Sequence, residues 1–501
     1  MMQAMNADLT PGGLQIGSTG AARTGGRVPD PGSRGLARLG LLFMVGLLAI
    51  VIGFQQFGHS AAAGPGTHGG PPTGAGADAI EPPQADQALI MAKLAVKFGP
   101  VMPDPQSRAI FVAQLDGAAQ SPLDRFRAAI VAGELLGNQE ARTRLVDVDA
   151  KLPDDAPLKP DVAALLGVFA QPPQPLDDAD AKRLIDRHGW FGQLAAVIGK
   201  SDTDPAREKL VGGGATLIAV FGVLGLLAAV AAIAGLGLFI TAIVLLATGT
   251  LKPRFLPPAT GGSVPIEMVC VFMAGFVGLK LVALAAAAIL PASAVGPLTL
   301  GCQWGLMLIV FYPLLRGMTW TQTRDMLGLH ARGRGGVLGE IWAGLLGYLA
   351  GIPVFVTGAI ISVVLFFLWD LWSRASGGPP AAPPQNPVVE YFASGDVLWI
   401  ILVGALATVW APLVEEVVFR GALLRHLSGW MTPVLAAVPT ALVFGLMHAY
   451  PIMLMGPVIA LGFVFGCLRA WRGSLVACIT AHAIHNGLIV VLMVTVVTLV
   501  G

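Results

Sequence analysis

From Val211 to Leu251 about 40 consecutive residues pass without a single charged side chain. A run of that length exceeds what the core of a small soluble domain can cover, whereas about 20 apolar residues in helix cross a bilayer. In lipid the backbone must satisfy its own polar groups, so the run has to be helical. Eight more apolar runs follow the same logic: Leu39–Phe54, Pro265–Leu290, Ala294–Leu315, Ile341–Trp369, Val397–Leu424, Pro433–Tyr450, Ile452–Leu468 and Ser474–Val500. A chain that is 55% hydrophobic and 12% charged has the composition of such a protein. The fold class is therefore all-α, a polytopic transmembrane helical bundle of about nine spans with a small helical extracytoplasmic domain. The Val211–Leu251 run fits one long tilted span or a tight pair. Lys252 and Arg254 behind it favour one crossing, which places them inside.

Charge sets the orientation. Arg23, Arg27, Arg34 and Arg38 precede the first run and put the N-terminus in the cytoplasm, most simply of a plasma-membrane protein. Residues 1–35, rich in Gly, Pro, Ser and Arg, read as a disordered cytoplasmic tail. Residues 36–57 read as a transmembrane anchor. Ala61–Ala63 behind them also suit a signal-peptide cleavage site, but the long preceding tail favours an uncleaved anchor. Residues 58–82 form a Gly/Pro/Ala linker. Residues 83–210 hold more than half of the Asp, Glu, Lys and Arg of the chain and repeat apolar residues at helical spacing, which predicts a helical extracytoplasmic domain. Its His188, beside Trp190, reads as a surface or packing residue. Residues 211–390 are transmembrane helices and 391–501 form the core that carries the chemistry. Alternating the spans leaves Arg316, Arg324, Arg332, Arg334, Arg425, Arg469 and Arg472 cytoplasmic; Arg374 is the exception, and Lys280 within its span has no evident partner. The net charge of +1 and the lack of a basic cluster interleaved with aromatics give no support to nucleic-acid binding. Cys270, Cys302, Cys467 and Cys478 all lie in apolar runs without zinc spacing and read as small apolar side chains.

Ionisable groups at membrane depth each need a reason. In the last four runs they gather: Glu415, Glu416, Arg420, His448, His482, His485 and Asn486. Glu416 and Arg420, four apart, share a helix face and can pair as a structural unit. Glu415 points about 100° away on an α-helix and has no cation at three or four residues; a buried carboxylate so placed has the profile of a general base. Phe444 and His448 in "FGLMH" are again four apart, so the ring can fix the imidazole. His482 and Asn486 in "HAIHN" share a face, and His485 fits either an alternate site member or a packing residue. Ser474 and Thr480 read as helix-start and packing residues. At about 1.5 Å per residue Glu415, His448, His482 and Asn486 fall about 12–22 Å below the cytoplasmic boundary, within a hydrocarbon core about 30 Å thick. A carboxylate plus an imidazole can hold and deprotonate a water, and a second imidazole plus an amide can donate to a tetrahedral intermediate. The same residues suit zinc.

Three motifs in order, "EEVVFR" (415–420), "FGLMH" (444–448) and "HAIHN" (482–486), give the EExxxR, FxxxH and HxxxN pattern. In these the chain resembles the CPBP family, the CAAX-processing and bacteriocin-processing intramembrane proteases also called Abi, over roughly residues 395–495. The resemblance implies an all-helical intramembrane endopeptidase. Glu415 and His448 would activate water, His482 and Asn486 would form the oxyanion site, and Glu416, Arg420 and Phe444 would support them. It also implies a membrane-associated protein or peptide as substrate and a glutamate mechanism without a catalytic metal, with a zinc-dependent version as the alternative. The N-terminal anchor and charged outer domain depart from the minimal family pattern. Two other readings compete: a non-catalytic bacteriocin-immunity or scaffold protein, and a transporter using Glu415 as a proton site. The second lacks the paired halves expected of it.

Overall fold

In a computed structural model that describes residues 30–62, 87–102, 104–119, 121–258, 262–333, 335–377, 392, 397–448, 450 and 454–501, all regular structure is helical. The charged segment shows why it folds as helices. Asp104, Ser121 and Asp204 each cap a helix that starts on proline, and Asp177 caps another; the cap satisfies an orphan N–H and proline loses nothing at the first position. Eight helices result: α2 (Gln87–Phe98), α3 (Pro105–Ala118), α4 (Pro122–Leu136), α5 (Asn138–Lys151), α6 (Lys159–Val168), α7 (Asp178–His188), α8 (Trp190–Val197) and α9 (Pro205–Val211), after α1 (Arg34–Ala62). They share one core around Phe126, Ile130, Leu145, Leu165 and Leu194.

His188 is not a surface residue. It is buried, and its Nε2 lies 3.0 Å from Oδ2 of the fully buried Asp161, which also accepts from Arg183 (2.8 Å) and Arg187 (2.9 Å). Burial opposes the Asp161 charge, but hydrogen bonds from Arg183, His188 and Arg187 outweigh it and hold the carboxyl below its ordinary value. Burial likewise pushes His188 below its usual value, against the pull of Asp161.

The membrane part continues with α10 (Gly214–Ala247), α11 (Val264–Ile289), α12 (Ala292–Gly305), α13 (Tyr312–Leu315), α14 (Trp320–Leu327) and α15 (Gly336–Ala375). It closes with α16 (Val397–Leu427), α17 (Pro433–Leu446), α18 (Met455–Arg472) and α19 (Val476–Val500). Among the described residues seven segments are long and apolar enough to cross a bilayer, which is the build of an integral membrane protein. The long uncharged run is one helix, α10, not a tight pair. Two of the nine expected spans are not among the seven: α17 stops at Leu446 after 14 residues, about 21 Å, short of the hydrocarbon thickness, and α18, over the run Ile452–Leu468, carries Arg469 and Arg472 in its last turn. For α17, Pro451 supplies a reason, since the residue before a proline is disfavoured in helix.

The termini of these helices mark two ends. At one, Lys93 of α2 donates to the carbonyl of Gly501, just past α19 (2.6 Å), so the charged domain sits where the last helix finishes. At the other, Arg472 forms a bidentate pair with buried Glu340 (2.7 and 3.1 Å), Arg469 donates to the Leu327 carbonyl (3.0 Å), and the backbone N–H of Arg254 donates to that of Ala470 (3.1 Å). The first residues of the chain that are described are tied down and not part of a free tail: Oδ1 of Asp30 accepts from the backbone N–H of Ser263 and Val264 at the start of α11 (both 3.3 Å). The helix α1 then packs along α11 through Met44, Leu47 and Val51 and continues to Ala62, so residues 58–62 are helical and not linker. Glu267, Arg316 and Tyr312 form a second tie between α11 and α13. Lys280 lies over the Phe276 ring and Arg374 pairs with Asp370. The four cysteines are free, and Cys302 is exposed on α12.

Glycines 344, 351 and 358 of α15 recur every seven residues and let α18 and α19 approach its backbone. At Gly358 an added Cβ would sit 2.5 Å from the Gly456 carbonyl oxygen. Gly358→Val is therefore expected to lower the thermal midpoint in detergent, at a cost of about 1–3 kcal/mol, whereas Gly222→Val, with open space around it, leaves the midpoint unchanged. In the charged domain, the depressed His188 value means the unfolded chain binds the extra proton first. Stability is thus full above about pH 6.5 and falls as pH drops below it, with a further loss below about pH 4 as Asp161 protonates. Hydrogen exchange on the full chain at pH 7 and 5 should show faster opening of α6 and α7 at the lower pH, and Asp161→Asn should cost about 2 kcal/mol at pH 7.

Candidate active site

The helix α16 is not a uniform α-helix. Leu406–Trp410 and Glu416–Leu423 are π-helical, flanking the α-helical turn Ala411–Glu415. Pro412 lacks an N–H and cannot continue the ordinary ladder, and Gly421 lies in the second stretch. Wider turns of this kind are found at functional sites. Glu415 ends the α-helical turn and Glu416 opens the second π-helical stretch. Both carboxylates face one imidazole. His482 of α19 donates from Nδ1 to Oε1 of Glu416 (2.9 Å), and its Nε2 lies 3.9 Å from Oε2 of Glu415.

Glu416 and Arg420 are fully buried and paired at 2.9 Å, the i,i+4 contact expected from their spacing. Arg420 spends its second arm on the carbonyl of Gly462 in α18 (3.0 Å) and lies 4.3 Å from the centroid of Phe444 and 5.4 Å from that of Phe465. Burying such a pair is costly unless the remaining protons and lone pairs find partners; the Gly462 carbonyl, the His482 ring and two aromatic faces provide part of them, while Nε of Arg420 and Oε2 of Glu416 have no hydrogen-bond partner among the described residues. Oε2 of Glu415 and Oε2 of Glu416 are buried and accept no hydrogen bond from the protein. These are the positions from which a water or a substrate amide can be held.

His448 lies past the end of α17 and not on a membrane helix as its spacing suggested. Its Nδ1 donates to the Phe444 carbonyl (2.7 Å), so the proton is on Nδ1, and among the described residues no hydrogen-bond partner faces Nε2. Phe444 meets His448 edge-on at 4.7 Å and His482 edge-on at 6.0 Å, joining the two imidazoles through one ring. Asn486 donates one amide hydrogen to the Ala407 carbonyl in the first π-helical stretch (2.7 Å), which locks α19 to α16 and leaves the second N–H. His485 faces the other way, towards Tyr348 and Phe355 of α15. Ser474 caps the entry to α19 and Thr480 bonds back to its own helix, as expected of helix-start and packing residues.

Spacing alone missed Phe465, which stacks on His482 at 5.3 Å, and Arg469, whose buried guanidinium donates to the Arg420 carbonyl (3.4 Å). Both lie on α18, a helix without a motif of its own. Among the described residues no three His, Cys, Asp or Glu side chains converge as ligands of a metal ion. The imidazoles each spend one nitrogen on a protein acceptor, and the Glu416 carboxylate is engaged by Arg420 and His482.

With this geometry in place, comparison with known proteins adds one result. Residues 397–488 match the family model described as Rce1-like, type II CAAX prenyl endopeptidase Rce1-like. No curated protein and no solved structure matches the chain. The matched segment opens with α16 and ends just past Asn486, so it contains all seven residues singled out by the three motifs.

Glu416→Gln removes the charge that neutralises Arg420 and is expected to destabilise the protein by about 3 kcal/mol. Adding Arg420→Met should recover part of that loss, because the orphaned charge is then gone. Thermal unfolding of the two variants in the same detergent checks the order.

Proposed function

Since residues 397–488 form an Rce1-like domain of the CPBP family, we propose that the protein is an intramembrane endopeptidase that hydrolyses a peptide bond of a membrane-associated protein or peptide, without a catalytic metal. The observation that carries this reading is the Glu415 carboxylate. It is partly buried at membrane depth, with one oxygen lacking any protein partner, and it faces His482 at 3.9 Å. Such a group has no structural role that a neutral side chain could not fill better.

In this reading a water donates to Glu415, and Nε2 of His448 holds it from the other side. Glu415 takes the proton as the water oxygen attacks the carbonyl carbon. The carbonyl electron pair moves to oxygen, where Nε2–H of His482 and the free N–H of Asn486 receive the charge. With Nδ1 committed to Glu416, His482 serves this purpose when it carries a proton on both nitrogens. Collapse of the intermediate breaks the C–N bond, and the proton held by Glu415 passes to the leaving amine. Glu416 and Arg420 hold the imidazole, and Phe444 separates the two rings. The fixed donors cost no reorganisation at the moment of reaction. Orientation follows the same evidence: the Arg-bearing loops at one end of the bundle fit the cytoplasm of the plasma membrane, and the α2–α9 domain at the other end fits the outside.

Purified protein in lipid nanodiscs, given a single-span peptide reporter, should yield a cleaved product. Glu415→Gln and His448→Ala should each lower kcat by a factor of about 100 or more, a usual scale for loss of general-base catalysis, with thermal midpoints close to wild type. Full turnover after complete chelation supports the metal-free route, and loss of turnover that zinc restores contradicts it. Cleavage that survives both substitutions removes the hydrolytic assignment.

A further inference from the structure

His448 has a problem that the other site residues do not share. Glu415, Glu416 and His482 are held by helices packed on several sides, whereas His448 lies two residues beyond the end of α17. A base whose task is to aim one lone pair at a water cannot tolerate free rotation, because a misplacement of about 1 Å can cost on the order of a hundredfold in rate. Two restraints come from Phe444: its carbonyl takes Nδ1–H and its ring abuts the imidazole edge-on. Both come from one turn of one helix, so any further support for the ring comes from another residue.

That support comes from Tyr450, which no motif singled out. Its ring lies parallel to the His448 imidazole, with 8° between the planes and 6.1 Å between the centroids, the offset-stacked arrangement that aromatic pairs favour. Tyr450 is half-buried, and it directly precedes Pro451, which disfavours helix at Tyr450.

We propose that Tyr450 is a positioning residue for His448: its ring, stacked parallel on the imidazole, adds to the restraint from Phe444 and keeps Nε2 directed at the water. The role rests on the reading of His448 as a water-activating residue. It belongs to the ring, not to the hydroxyl, because the contact is face to face. Tyr450→Phe therefore keeps the function, while Tyr450→Ala and Tyr450→Leu lose it.

The test uses the full chain in detergent micelles or nanodiscs and has two readouts. In turnover of a single-span peptide reporter, Tyr450→Phe should stay within about twofold of wild type, and Tyr450→Ala and Tyr450→Leu should lower kcat by about ten- to a hundredfold. KM and the thermal midpoint should be little changed. In histidine-selective 15N NMR, which needs no substrate, wild type and Tyr450→Phe should show His448 as a single Nδ1–H tautomer, and the Ala and Leu variants a mixture. Wild-type kcat together with an unchanged single tautomer in Tyr450→Ala or Tyr450→Leu overturns the proposal. So does a Tyr450→Phe variant as impaired as the alanine variant, which would assign the role to the hydroxyl. If the tautomer is released in the alanine variant but the wild type cleaves nothing, the clamp stands and the hydrolase reading falls. If cleavage depends on Glu415 but not on the Tyr450 ring, the reverse holds.

Discussion

The contact between Arg420, Glu416 and His482 is the constraint that the membrane core is arranged around. A buried carboxylate is costly at membrane depth, and a guanidinium beside it costs more unless every donor and acceptor finds a partner. Here the guanidinium reaches the Gly462 carbonyl and lies against Phe444 and Phe465, while the carboxylate takes the His482 proton. Those partners come from α17, α18 and α19, so satisfying the pair fixes three helices against α16. The approach must be close. An added Cβ on Gly466 would sit 2.6 Å from Cβ of Ala437, and one on Gly445 would sit 2.5 Å from the Ile459 side chain.

Much of the support lies outside the segment that matches the family model. Arg469 ties α18 to α14 and to the backbone of α16, α15 lies against α18 and α19 through its spaced glycines, and α1 braces α11. The α2–α9 domain touches the end of α19, the helix that carries His482 and Asn486, through Lys93. The chain thus surrounds a short chemical core with a larger frame, and the frame contacts the core at helices that bear site residues.

How much of this was legible depended on whether the signal was local. The Glu416–Arg420 pair and the Phe444–His448 pair followed from a spacing of four, and both occur. The single long helix α10 followed from the charges behind it. The meeting of both carboxylates with one imidazole did not, because His482 lies 66 positions from Glu416 on another helix. The placement of His448 on a helix overlooked Pro451, a signal that was in the sequence. His188 was read without Asp161, which lies 27 positions away and meets it only through the packing of α6 and α7. The tie of Asp30 to the start of α11, across 234 positions to Val264, leaves no local trace at all. Phe465 and Arg469 sat in an apolar helix with no motif, where nothing distinguishes a ring that stacks on a site histidine from one that faces lipid.

The account stands or falls on the coupling between Glu416 and His482, and a double-mutant cycle measures it directly. Glu416→Gln, His482→Phe and the double variant are unfolded in the same detergent and compared with wild type. A coupling of about 1–3 kcal/mol is the predicted result, the range for partners sharing one buried network. Effects that add to within about 0.5 kcal/mol would mean that the two side chains do not meet, and the site described here would not exist.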